Sequence, residues 1–155
     1  MNRKQRSKME EILKFEGLAD DIKQSFGLND IDLRTYNPLS LAFIGDSIYE
    51  TIIRTLVVEK GNKSVNAMAK EKNTLVNATK QSEIGEFLKD YYTEEEAEIY
   101  RRGKNAKTAN HSKSAAYSDY HKATGLEAVF GYLYLTGRID RCIELLTIAI
   151  KSNEK

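Results

Sequence analysis

Asn37-Pro38-Leu-Ser-Leu-Ala-Phe-Ile-Gly-Asp46-Ser-Ile-Tyr-Glu50 is the stretch on which the fold turns. Asparagine followed by proline reads as a helix N-cap and first helical position, where the N–H that proline lacks would go unpaired anyway. The apolar residues that follow place Asp46 more than two turns inside that helix, beside a glycine that helix interiors disfavour. An unpaired buried carboxylate is costly, so Asp46 is expected to have a hydrogen-bond partner, a cation or a catalytic task. The same helix continues through Ile52, Ile53, Leu56 and Val57 and stops at Gly61.

Outward from this helix the chain reads as all-α, since proline occurs once and no strand-like alternation lasts beyond a few residues. Upstream, Ser7-x-x-Glu10 is a capping box opening a short helix that closes near Gly17. A second short helix runs from about Leu18 to Phe26, and a polar connector covers Leu28 to Tyr36. Downstream, Ser64 caps one helix, and another takes in Leu75, Val76, Ile84, Phe87 and Leu88. Thr93-x-x-Glu96 is a further capping box, for a helix ending around Gly103. A small, polar loop spans 104–117. Then come an apolar helix through Leu126, Val129, Phe130, Leu133 and Tyr134, ended by Gly137, and a last helix with Ile139, Ile143, Leu146 and Ile150.

With 155 residues the chain fits one domain with a real core. Its 41% hydrophobic and 30% charged residues argue against global disorder, and the apolar runs are too short and too charged to span a membrane. Arg3, Lys4, Arg6 and Lys8 make the N-terminus basic, but no apolar secretory core follows. The single cysteine, Cys142, excludes an internal disulfide and offers no metal-ligand pattern, which suits a cytoplasmic setting. The net charge of +1 conceals a local imbalance. Glu94, Glu95, Glu96 and Glu98 precede Tyr100-Arg101-Arg102-Gly103-Lys104-Asn105-Ala106-Lys107, and Lys113 extends the basic run. Two cations at a helix C-terminus would be ordinary dipole pairing. Their continuation into a loop points to phosphate contact. His111 and His121 lack ligand spacing and read as polar surface or RNA-contact residues.

Glu127 mirrors Asp46, a carboxylate among Leu126, Ala128, Val129, Phe130 and Leu133. Either acid alone could make a polar pair or reach solvent. Together, two inward carboxylates could share a divalent cation, which offsets their repulsion. Oxygen donors without histidine or cysteine favour hard Mg²⁺, with Mn²⁺ able to substitute.

Leu41-Ala-Phe-Ile-Gly-Asp46-Ser-Ile-Tyr-Glu50 resembles the signature helix of ribonuclease III catalytic domains. Arg101-Arg-Gly-Lys-Asn-Ala-Lys107 and Thr124-Gly-Leu-Glu127-Ala-Val-Phe-Gly-Tyr-Leu-Tyr-Leu135 look more narrowly like Mini-ribonuclease III. The resemblance covers about residues 35–150 and implies an all-α, ribonuclease III endonuclease-domain-like fold. An N-terminal helical extension (1–30) would precede the catalytic domain (31–155). It also implies Mg²⁺-dependent hydrolysis of double-stranded RNA to 5′-phosphate products, with precursor 23S ribosomal RNA as substrate. The enzyme would be a homodimer with one active site per subunit, and the helix around Asp46 would be partly interface. Asp46 and Glu127 would be the catalytic and metal-holding pair, and Arg101, Arg102, Lys104, Asn105, Lys107 and Lys113 the RNA contacts.

Only Lys151 to Lys155 follow the last helix, so the catalytic domain itself is expected to grip RNA. By the same resemblance, full-length ribonuclease III carries further acids at positions that are here Leu39, Ala42 and Thr124, which would leave much of the metal's coordination to water and phosphate. Glu50, one turn beyond Asp46, could support the metal site from behind or pair structurally with a core tyrosine. The rival function is a non-catalytic RNA-binding or ribosome-associated domain with the same fold. Retention of both acids speaks against it.

Overall fold

The computed structural model describes residues 2–106, 115–152 and 154, without the side chains of 6–16 and 115. Every regular element among them is helical: α1 (Arg3–Ser25), α2 (Pro38–Glu59), α3 (Val65–Leu75), α4 (Ala78–Phe87), α5 (Glu94–Lys104), α6 (Ala115–Leu135) and α7 (Ile139–Ser152). Short 3-10 turns occupy Leu33–Thr35 and Leu88–Asp90.

The helix boundaries are set by local chemistry. Asn37 Oδ1 accepts the Leu39 N–H at 2.9 Å, with Pro38 opening α2 as its sequence implies. Ser64 caps α3 through the Ala67 N–H. At α5, Thr93 and Glu96 exchange the two hydrogen bonds of a capping box. Gly61 and Gly137 stop α2 and α6 with φ of 135° and 75°.

Three boundaries differ from expectation, the first being that α6 begins at Ala115, inside the stretch expected as a loop over 104–117. Asn2, not Ser7, caps α1, through a reciprocal pair with Gln5, and Ser7 lies within the helix. Gly17 does interrupt it, at φ 73°. Leu75 and Val76 do not begin the helix that holds Ile84. Val76 leaves the helical region, Asn77 Oδ1 caps α4 by accepting the Lys80 N–H at 2.8 Å, and the freed Leu75 carbonyl accepts the Tyr49 hydroxyl at 2.7 Å.

α6 is the axis of the domain, packed against α2, α4, α5 and α7. Its apolar residues point in all directions because it is covered on nearly all sides, with Leu126, Ala128, Val129, Phe130 and Leu133 buried. α2 runs antiparallel to α6 at a very short distance. A Cβ on Gly45 would stand 1.7 Å from the Glu127 carbonyl oxygen, and one on Gly131 would stand 1.9 Å from that of Leu41. Leu41 and Gly45 are one turn apart on α2, as Glu127 and Gly131 are on α6. Two main-chain contacts, one turn apart, therefore lock the helices in both translation and rotation.

Candidate active site

The crossing brings Asp46 and Glu127 together. Asp46 follows Gly45 directly, and Gly45 rests on the backbone of Glu127. Asp46 itself is exposed, contrary to the expectation of a buried acid. α2 buries one side only, through Leu41, Ala42, Gly45, Tyr49, Ile53 and Val57. Phe43, three residues before Asp46, shares its outward side and is 85% exposed. Most of its apolar neighbours in sequence lie on the buried side of α2, away from it.

Glu127 is the enclosed acid of the pair. Burial first, and the nearby negative charge of Asp46 second, push its carboxyl up to about 8. The same cluster includes Tyr49, whose hydroxyl is raised by burial and by the charge of Glu127. Two oxygen-donor groups in mutual repulsion, one of them poorly solvated, fit a hard divalent cation. No group of three His, Cys, Asp or Glu side chains that could hold a metal occurs among the described residues. The donor set therefore suits a cation that keeps much of its water shell or draws on substrate oxygens.

Glu50 pairs with two cations. Its carboxylate is held below its ordinary range by Lys72, 3.0 Å away, and by Arg54, also at 3.0 Å. Lys72 thus reaches the turn of α2 just beyond Asp46, and the sequence carries no sign of this because Lys72 belongs to another helix.

The basic run divides into several roles. Arg101 is exposed and forks onto Glu98 at 2.6 and 3.0 Å. Arg102 points inward, donating to the carbonyls of Arg34 at 3.0 Å and Tyr36 at 2.9 Å. It ties the end of α5 to the segment that leads into α2. Lys104 lies over the Tyr100 ring, 3.7 Å from Glu86 Oε1. Asn105 is exposed and ends α5, its N–H donating to the Arg101 carbonyl. Lys107, His111 and Lys113 lie outside the described residues. His121 is not a surface residue: it is 8% exposed and packed edge-on to Tyr117 and Tyr120, and neither ring nitrogen has a hydrogen-bond partner among the described residues.

Arg102→Ala is expected to lower stability by about 1–2 kcal/mol, since a charged donor leaves two carbonyls. Arg101→Ala should leave stability unchanged, its partner being an exposed Glu98. Urea unfolding of the two variants side by side checks this. Equal stabilities would show that the inward tie is worth no more than the surface pair.

The ribonuclease III domain family matches residues 39–138 of the chain. Similar proteins include the Mini-ribonuclease 3 of Clostridium tetani, 39% identical over 125 residues (80% of this chain and 83% of that protein). That of a Thermoanaerobacter species is 40% identical over 119 residues (77% and 84%). A Fusobacterium nucleatum protein solved by X-ray crystallography superposes with a TM-score of 0.68 at 34% identity, covering 80% of this chain and 99% of that one.

Proposed function

This chain belongs to the ribonuclease III family, is similar to its Mini-ribonuclease 3 members and is an endoribonuclease; on that premise we propose that it is a Mg²⁺-dependent enzyme cutting double-stranded RNA at Asp46 and Glu127. The observation that carries this is the α2–α6 crossing, which sets an exposed carboxylate beside an enclosed one at a main-chain contact. A pair of acids that resists joint ionisation in the free protein is a poor structural device and a good receiver for a cation.

Asp46 and Glu127 would hold the metal. When bound, it supplies an activated water and charge stabilisation at the phosphodiester, and Mn²⁺ would serve in its place. Asp46, being exposed, is the acid that incoming substrate can approach. Glu127 fixes its side of the site through its enclosed setting, and Tyr49 forms the wall behind it, its hydroxyl already committed to the Leu75 carbonyl. Glu50 holds Lys72 and Arg54 at the next turn of α2. Arg101, Lys104, Asn105, Lys107 and Lys113 would contact the RNA backbone, with Arg102 supporting them through its tie to the chain before α2.

A homodimer suits the outer side of α2. An aromatic ring 85% exposed beside a functional acid is an apolar group that a second copy can cover. Precursor 23S ribosomal RNA is the proposed substrate, with ribosomal RNA maturation in the cytoplasm as the setting. No helix among the described residues is long and apolar enough to cross a membrane.

The test is incubation of a perfect RNA duplex with the protein in Mg²⁺ or in EDTA, with Asp46→Asn alongside. Cutting in Mg²⁺ alone, abolished in the variant, is the expected result. Binding without cutting in Mg²⁺ would mean that the fold serves as an RNA-binding module.

A further inference from the structure

Glu86, near the end of α4, gathers cations from three parts of the chain. It is ion-paired with Lys89 in the following 3-10 turn. Lys104 at the end of α5 stands 3.7 Å away and Lys122 of α6 stands 4.0 Å away. The Tyr100 hydroxyl donates to the same carboxylate at 3.0 Å. Three positive charges against one negative leave a local excess of two.

Stability does not explain this arrangement. Half-exposed ion pairs contribute little, and lysines crowded around one acid repel each other. Lys89 and Lys104 gain from the helix C-termini beside them, but Lys122 sits inside α6 and has no such benefit. The lysine side chains are 47%, 30% and 33% exposed, so their stems lie on the protein while their charge remains open to solvent.

The cluster shares α6 with Glu127 through Lys122. Gly103, the residue before Lys104, packs so tightly that an added Cβ would be 2.9 Å from both Gly125 and Ala128, which flank Glu127. Lys122 precedes Glu127 by five residues, about 7.5 Å along the axis and about 140° around it. A ligand touching both places would have to be extended and polyanionic, as a nucleic-acid backbone is.

We propose that Lys89, Lys104 and Lys122, gathered on Glu86, form a phosphate-binding ledge that grips the RNA backbone to one side of the cut. The ledge rests on the duplex-RNA function proposed above. Because the three side chains are already gathered in the free protein, less rotamer freedom is lost when phosphate arrives.

The experiment measures affinity of the full-length Asp46→Asn protein for a short RNA duplex in EDTA, across a salt series. Lys89→Ala/Lys122→Ala in that background is expected to weaken binding several-fold and to reduce the slope of log affinity against log salt by about 1 per lysine. Lys60→Ala/Lys63→Ala, which removes two lysines paired with Glu71 elsewhere, should change neither. Circular dichroism checks that each variant remains folded. A parent that binds no duplex overturns the duplex function and the ledge together. A parent that binds, with Lys89→Ala/Lys122→Ala unchanged in affinity and slope, overturns the ledge alone. An equal loss in the Lys60/Lys63 control also overturns it, because the effect would then be one of total charge.

Discussion

Gly45→Ala is expected to abolish cleavage and to cost the fold about 3 kcal/mol or more, at or beyond the top of the usual overpacking range. The added methyl would meet the Glu127 carbonyl oxygen at 1.7 Å, the Glu127 carbonyl carbon at 2.6 Å and the Gly131 nitrogen at 2.7 Å. All three are main-chain atoms, so no change of rotamer relieves the clash and the helices must separate. Separation moves Asp46 away from Glu127, and a shift of about 1 Å at a catalytic pair can cost roughly 100-fold in rate. Gly131→Ala should act in the same way from the other side, against Leu41 at 1.9 Å. Urea unfolding gives the stability. Cleavage measured well below the variant's melting temperature separates lost geometry from lost fold. A Gly45→Ala protein with normal stability and rate would show that the crossing is looser than described.

Glu127→Gln is expected to abolish cleavage while making the metal-free protein more stable at high pH. The carboxyl sits at about 8 in the folded chain against an ordinary 4.5, mainly through burial and then through Asp46. Between those values the folded state holds a proton that the unfolded state has released, so stability falls as pH rises. Above about 8 the folded state carries the full cost of an enclosed charge. Glutamine keeps the shape and carries no charge. The variant should therefore match the parent near pH 4, gain on it through neutral pH and hold a constant advantage above pH 8. An advantage of at least about 1 kcal/mol corresponds to 2–4 °C in melting temperature for a chain of this size. Thermal melts in EDTA across that range decide it. A flat difference with pH would mean that Glu127 ionises as freely as an exposed acid. Mg²⁺ should raise the parent's melting temperature and not the variant's, since a ligand stabilises only the form that binds it.

Much of the fold was legible because its signals are local. The Asn37-Pro38 start, the Thr93–Glu96 box and the glycines at 61 and 137 act within one turn, and each did what its chemistry requires. The break at Val76–Asn77 is less legible: Asn77 is a cap by type, but no glycine or proline marks the end of α3, and the Leu75 carbonyl is satisfied by Tyr49, distant in sequence. Asp46 stands out in the sequence for its apolar surroundings, yet those surroundings are split between two sides of α2, and Phe43 accompanies it outward. The acid that pays for enclosure is Glu127. Arg102 looked like its neighbours in a basic run, but its partners lie 66 and 68 residues earlier, beyond the reach of any local pattern. In the sequence Gly45 is only a residue that helix interiors disfavour. Its use required the opposing helix.

The contact of Gly45 with Glu127 and of Gly131 with Leu41 has a bearing on how such a chain can change over time. The separation of the acids is dictated by main chain resting on main chain, and main chain is the same whatever residues surround it. Side chains on the outer faces of α3, α4, α5 and α7 can then drift, or be redesigned for other RNA shapes, without disturbing the spacing of the two carboxylates. Two buried glycines act as a fixed gauge, and side chains outside the crossing can vary without changing that spacing.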